Sequence, residues 1–159
     1  MNDDALKALV KQGLKAQKAA TQLGDDAAAE IANDATNSEL KAHLQQGSQR
    51  AKQWEQSLTD ALQKMGVEDG PIDNPIIRAH YEVSKKIRAE VDTPEARDLG
   101  IITSDQLVMH YYIAGLGTLA TYAKKLGETE TGDLVGLLLG EAKQSDEAMT
   151  ALAQKILNA

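Results

Sequence analysis

Apolar residues recur every three or four positions along most of this chain, with polar residues between them, which is the signature of helices with one buried face. Leu6, Val10, Gly13, Gln17, Ala20, Gly24, Ala27 and Ile31 trace the inner face of a first helix. Lys7, Lys11, Lys15 and Lys18 fall mostly beside or opposite it. Asp3 and Asp4 suit the positive end of its dipole. The polar run Asn33–Ser38 predicts a break, and Thr36 with Glu39 three residues later has capping-box spacing. A second stripe follows: Leu40, Leu44, Gly47, Ala51, Trp54, Leu58, Leu62 and Met65. It stops at Gly66, which tolerates the left-handed backbone that ends helices.

The segment GVEDGPIDNP, residues 66–75, is turn chemistry. Asn74–Pro75 reads as a cap followed by proline at the first helical position. A medium helix over about 75–91 then presents Ile77, Tyr81, Ser84, Ile87 and Val91. Thr93–Pro94 starts another short turn or helix. Thr103 and Gln106 mark the start of a third long helix with the stripe Val108, Met109, Tyr112, Leu116, Leu119, Ala123 and Leu126. After the turn GETETGD, a fourth helix spans about 132–157, with Leu134, Leu138, Glu141, Ser145, Ala148, Leu152 and Ile156 inward. No segment has strand period. The expected architecture is all-α, one domain over 1–159. Hairpins at about 1–66 and 104–159 form a four-helix bundle, and a long crossover over 67–103 contains an additional short helix between the second and third long helices.

Composition narrows the functional classes. The chain carries a net charge of −7, which argues against nucleic acid or an anionic membrane surface as a partner. Only five aromatic residues, one Trp and four Tyr, accompany a core dominated by Ala and Leu, which favours close helix packing over sheets. The absence of cysteine removes disulfides, thiolate metal sites and a Cys nucleophile. MNDDALKALV is not a signal-peptide pattern, and the longest apolar run, Leu134–Leu139, is too short to span a bilayer. The expectation is a soluble, cytoplasmic protein.

The acids are unevenly spread. Ala5–Gly24, Leu40–Trp54 and Gln106–Gly127 contain no Asp or Glu, although 57 residues at the chain average would carry about eight or nine. All three stretches lie on predicted long helices. Bundles that bind two irons need inward carboxylates on those helices: one Glu from each of two, and a Glu-x-x-His from each of the others.

The segment MHYYIAGLGTLATYAKKLG, Met109–Gly127, resembles the third helix of the YciE/YciF family of bacterial ferritin-like, stress-associated proteins. EARDLG, Glu95–Gly100, and NSELKA, Asn37–Ala42, fit the same family. The resemblance implies a four-helix bundle with a crossover, a homodimer and, in members that retain it, a carboxylate and histidine metal centre. Its biochemical role is poorly defined.

Carried onto this chain, that centre lacks its ligands. The residues three before His43, His80 and His110 are Leu40, Ile77 and Leu107, so no Glu-x-x-His exists. The family's first-helix Glu falls at Gln17. The second-helix pair falls at Gln45 and Ser48, or at Gln49 and Lys52. Met109 and Tyr112 stand where family members often have Glu. Only Glu141 on the fourth helix is an inward acid, and its i+3 neighbour is Gln144. One carboxylate among neutral amides would leave a pair of divalent irons short of charge and of hard oxygen donors. Without metal, several buried carboxylates would repel each other and be desolvated, whereas Gln, Ser and Tyr can build a neutral interior.

The remaining candidates have plainer readings. Glu141 is either a former ligand, an acid paired with Gln17, Tyr112 or a lysine, or a solvated rim residue; the pairing is favoured. His110 suits packing or a dimer contact, and His43 suits the surface. His80 and Glu82 are too close in sequence to share a helical face. Of Tyr111 and Tyr112, at most one faces the core. Gly115, Gly117, Gly136 and Gly140 suggest close helix approach, not phosphate loops. Glu128, Glu130 and Asp133 complement the start of the fourth helix.

Three functions compete. The favoured one is a ferritin-like, stress-associated protein without a working di-metal site, a dimeric structural or interaction module with no catalytic residue and no cofactor. The second is an oxidase or catalase-like enzyme with an atypical iron or manganese site near Glu141. The third is a carrier holding a small ligand at the bundle centre, where Gly13, Gly24, Gly47 and Ala51 leave the inward face small.

Overall fold

The computed structural model describes residues 2–68, 70 and 73–159. Five helices account for most of them: α1 (Asp3–Asp34), α2 (Ser38–Lys64), α3 (Pro75–Glu90), α4 (Pro94–Lys125) and α5 (Thr129–Leu157). Helix α1 packs along α2 and α4 along α5, and the two hairpins close on each other through α1 against α4 and α2 against α5. The connection between the hairpins carries α3, which lies against α4 and α1. Pro71, Ile72 and Asp69 of the expected turn segment lie outside the described residues.

The caps show why the helices begin and end where they do. Asn2, Asn37, Asn74 and Thr93 each accept a hydrogen bond from a backbone N–H in the first turn of the helix that follows. Asn37 therefore does the work expected of Thr36, whose own hydroxyl is turned to Asp98. Gly66 and Gly127 close α2 and α4 with φ of 70° and 77°, and the N–H groups of Val67 and Glu128 return to the carbonyls of Leu62 and Ala123. Proline stands at the start of both α3 and α4.

Helix α4 starts at Pro94 rather than near Thr103, so the crossover is shorter than the sequence pattern implies. Gly100 does not break it. A Cβ there would lie 2.6 Å from Ile87 Cγ2, so this glycine is a notch into which α3 packs. In α5 Leu138, Ser145 and Leu152 are buried as expected, but the rest of the stripe is shifted by one residue: Val135, Ala142 and Met149 are fully buried, whereas Ala148 is exposed. The apolar run Leu134–Leu139 does not by itself choose a phase. In α1, Lys18 is buried beside Gln17 and Thr21, not exposed as its charge suggests.

The buried apolar residues form two clusters. The larger one gathers Val10, Leu14, Trp54, Leu58, Tyr112, Leu116, Leu119, Val135 and Leu138. The smaller one, Ala35, Leu40, Leu44, Ile101, Ile102, Met149 and Leu152, sits at the end where α1 turns into α2. Between them lies a waist lined by residues of both clusters. No helix among the described residues is long and apolar enough to cross a membrane.

Candidate site at the waist of the bundle

Of the positions expected for a metal centre, Ser48, Met109 and Tyr112 line one cavity, and Gln17, Gln45, Gln49 and Glu141 do not. Gln45 and Gln49 point to solvent. Ser48 donates to Asp25 Oδ1 at 2.5 Å. Gln17 is buried, but it packs on Gly115, where a Cβ would lie 2.1 Å from its Nε2. Tyr112 is buried against Trp54, ring centroids 5.1 Å apart and edge to face. Met109 is half-buried on the same face of α4. Glu141 accepts the indole N–H of Trp54 at 2.6 Å, a partner the sequence reading did not consider. This donor set does not fit a di-iron centre: its one carboxylate already serves a tryptophan, and two of its amides face solvent. Among the described residues no three His, Asp or Glu side chains come close enough together to hold an ion.

Glu141 is not the only inward acid. Asp105, immediately before the acid-free stretch of α4, lines the waist, and its Oδ2 is buried without a hydrogen-bond partner. Burial pushes its pKa up to about 6; Arg50 opposes the shift and Asp146 adds to it. Arg50 donates from Nη2 to Ser145 Oγ at 3.0 Å. His43 Nε2 lies 3.0 Å from the same hydroxyl. It is half-buried rather than a surface residue, and burial with the nearby Arg50 lowers its pKa, so its ring is neutral near pH 7. His80 donates from Nε2 to the carbonyl of Ser104 at 2.8 Å, which ties α3 to α4. His110 is exposed, 3.5 Å from Asp146, and takes no part in the core. Tyr111 turns away from Tyr112's pocket and accepts from Asn74 Nδ2 at 2.8 Å.

Asp105, Arg50, Ser145, His43, His80 and Tyr112 line a cavity of about 130 Å³. Its wall is mainly apolar, built from Leu23, Ala27, Ile77, Val108 and their neighbours, with Gly24, Gly47 and Ala51 making the space. Ser84 and Ser104 are 3% and 6% exposed, line the cavity, and have hydroxyls without partners. Sequence periodicity could have located Asp105, which lies three and four residues before Val108 and Met109 and thus extends their stripe. The cavity itself had no comparable signal beyond the small residues.

A second aspartate organises the end of the bundle. Asp98, 2% exposed, accepts from Thr36 N at 2.7 Å, Thr36 Oγ1 at 2.6 Å and Asn37 N at 2.8 Å. The two short segments that suggested a family, Asn37–Ala42 and Glu95–Gly100, thus meet at a structural joint. Arg88 does similar work for α3: buried itself, it bonds Glu30 at 2.9 Å and Asp34 at 2.5 Å.

Comparisons with known proteins agree with this architecture. YciF of Escherichia coli K12 is 36% identical over 77 residues, which cover 48% of this chain and 46% of that protein. The matched segment is thus about half of the curated relative. The crystal structure of the E. coli stress protein YciF superposes with a TM-score of 0.91 and 23% identity, over 96% of this chain and 97% of that one. YcfI from Rhodopseudomonas palustris superposes with a TM-score of 0.87 and 23% identity, over 91% and 92%. A family model described as a domain of unknown function, DUF892, matches residues 3–159. The chain belongs to that family, and its relatives identify it as the YciE/YciF family of ferritin-like helical bundles.

Proposed function

We propose that this protein is a cytoplasmic, non-enzymatic member of its family, a dimeric structural module associated with stress, without a working di-metal site. The observation that carries this reading is the Trp54–Glu141 hydrogen bond. The one acid at an expected ligand position is committed to the packing of the core, and Gln17, Tyr112 and Met109 supply no anionic oxygen beside it at neutral pH. Burial and the neighbouring Tyr111 and Asp105 raise the pKa of Tyr112, so a phenolate ligand is not at hand.

The test is metal stoichiometry. Protein purified without chelator and incubated with Fe(II) or Mn(II) should retain well under one ion per chain after gel filtration. Two ions per chain, with peroxide or oxygen turnover that Glu141→Ala abolishes, would establish the oxidase reading instead. The cavity favours a second role, as carrier of a small molecule, since it is a mainly apolar space between the helices.

A further inference from the structure

The polar groups around the waist are largely spent within the protein. The Trp54 indole N–H donates to Glu141, His80 Nε2 to the Ser104 carbonyl, and Ser48 Oγ to Asp25. His43 and Arg50 both turn to the Ser145 hydroxyl, and the Tyr81 hydroxyl donates to Glu30. Asp105 Oδ2 and the Ser84 and Ser104 hydroxyls are closed off from the space, so they offer a guest no handle. What lines the cavity is therefore mainly carbon. Small residues open it on one side, Gly24 on α1 with Gly47 and Ala51 on α2. Larger side chains close it on the other, Ile77 from α3 with Val108 and Met109 from α4. A charged or strongly polar guest would give up its water there for nothing in return. An apolar cavity of about 150 Å³ stays dry and binds benzene, so a space of about 130 Å³ suits a molecule of about six non-hydrogen atoms.

We propose that the waist is a binding site for a small apolar ring of about benzene size, held by packing between the small residues of α1 and α2 and the larger side chains of α3 and α4, with no hydrogen bond to the protein. This rests on the carrier reading and names its ligand class. Trp54 and Tyr112, edge to face at 5.1 Å, both line the cavity and can extend the same packing to an aromatic guest. The glycines give the space a second measure. A Cβ placed at the half-buried Gly24 meets nothing within 4 Å, and one at the half-buried Gly47 first meets Arg50 Nη2 at 3.9 Å. At Gly13, Gly100 and Gly115 a Cβ would instead collide with Leu119, Ile87 and Gln17. A larger side chain at Gly24 can therefore enter the cavity without displacing backbone, in competition with the ring.

The experiment uses benzene and phenol as probes on the full chain, followed by calorimetry, thermal melts and the indole N–H signal of Trp54, which lines the cavity. Benzene should bind, shift that signal and raise the melting temperature with its concentration. Phenol should bind about tenfold more weakly, because its hydroxyl is buried without a partner. Gly24→Leu should abolish benzene binding and its effect on the melt, while itself melting no lower than the wild type. If that variant fails to fold, Gly24→Ala supplies the comparison, and benzene should bind it about threefold more weakly or worse, since its methyl takes part of the space. Phenol binding as tightly as benzene, or more tightly, would overturn the apolar assignment and leave the carrier reading standing. Binding of neither probe would overturn both, and benzene binding unchanged in the Gly24 variants would overturn the placement at the waist.

Discussion

Asp98 and Asp105 lie seven residues, or two turns, apart on α4, and both turn into the protein, yet the chain treats them oppositely. Asp98 is the hub of the joint between the hairpins: three donors, two of them backbone N–H groups at the start of α2, converge on its carboxylate. Asp105 has a buried oxygen with no donor and an elevated pKa. A buried charge that is fully hydrogen-bonded holds a structure together. One left unsatisfied costs stability, and such groups concentrate where a protein has something to bind. The same residue type on the same helix thus marks a structural corner at one level and a candidate site at the next.

Replacing each aspartate should separate these roles. Asp98→Ala removes three charge-assisted hydrogen bonds and should lower the unfolding free energy in urea by about 2–4 kcal/mol. A loss below the error of the measurement would remove the contrast.

Asp105→Asn should act in the other direction. The folded protein holds the Asp105 proton more tightly than the unfolded chain, so its ionisation opposes folding. That penalty is absent below the ordinary value of 3.8, grows as the pH rises, and is complete above about 6. The full shift corresponds to at most about 3 kcal/mol. Since the variant also deprives Arg50 of a neighbouring charge, a gain of about 1–2 kcal/mol at pH 8 is expected, fading below about pH 4. Urea titrations of both proteins at several pH values would show the crossover, and a gain independent of pH would point to packing instead.

The smallest effect, at Gly24, tests the space itself, with Gly115 as its opposite. Gly24→Ala should gain about 0.5–1 kcal/mol of helix propensity, because its new methyl meets nothing. Gly115→Ala should lose stability by about 1–3 kcal/mol, because the methyl would collide with Gln17. Two glycines with opposite signs in thermal melts would map where the bundle is closed and where it is open.

Much of the fold was legible in the sequence because helices record their buried face every three or four residues. The stripes of α1 and α2, the Asn74–Pro75 start of α3 and the Gly66 stop all appear in the structure. What misled was local. The sequence pattern carries the crossover up to Thr103, whereas α4 already runs through Gly100, which is a packing notch for α3. The run Leu134–Leu139 has no polar residue but Gly136 to fix its phase. At the waist, Asp105 falls on the α4 stripe and Arg50 beside the α2 stripe, and a pattern traced through apolar residues alone passes over both. The partners of Asp98 are 61 and 62 residues away, a pairing that only the folded chain reveals.

The Trp54–Glu141 pair also bears on how the protein could change. A route from this sequence to a four-helix iron centre would have to place several carboxylates in the interior one substitution at a time. Each early step would bury a charge with no metal to neutralise it, at several kcal/mol, and the first would have to take Glu141 away from Trp54. A domain of this size holds only about 5–15 kcal/mol in reserve. Gradual mutation would therefore unfold the bundle before it bound iron, so a redesign must install the ligands together, with Trp54 replaced in the same step.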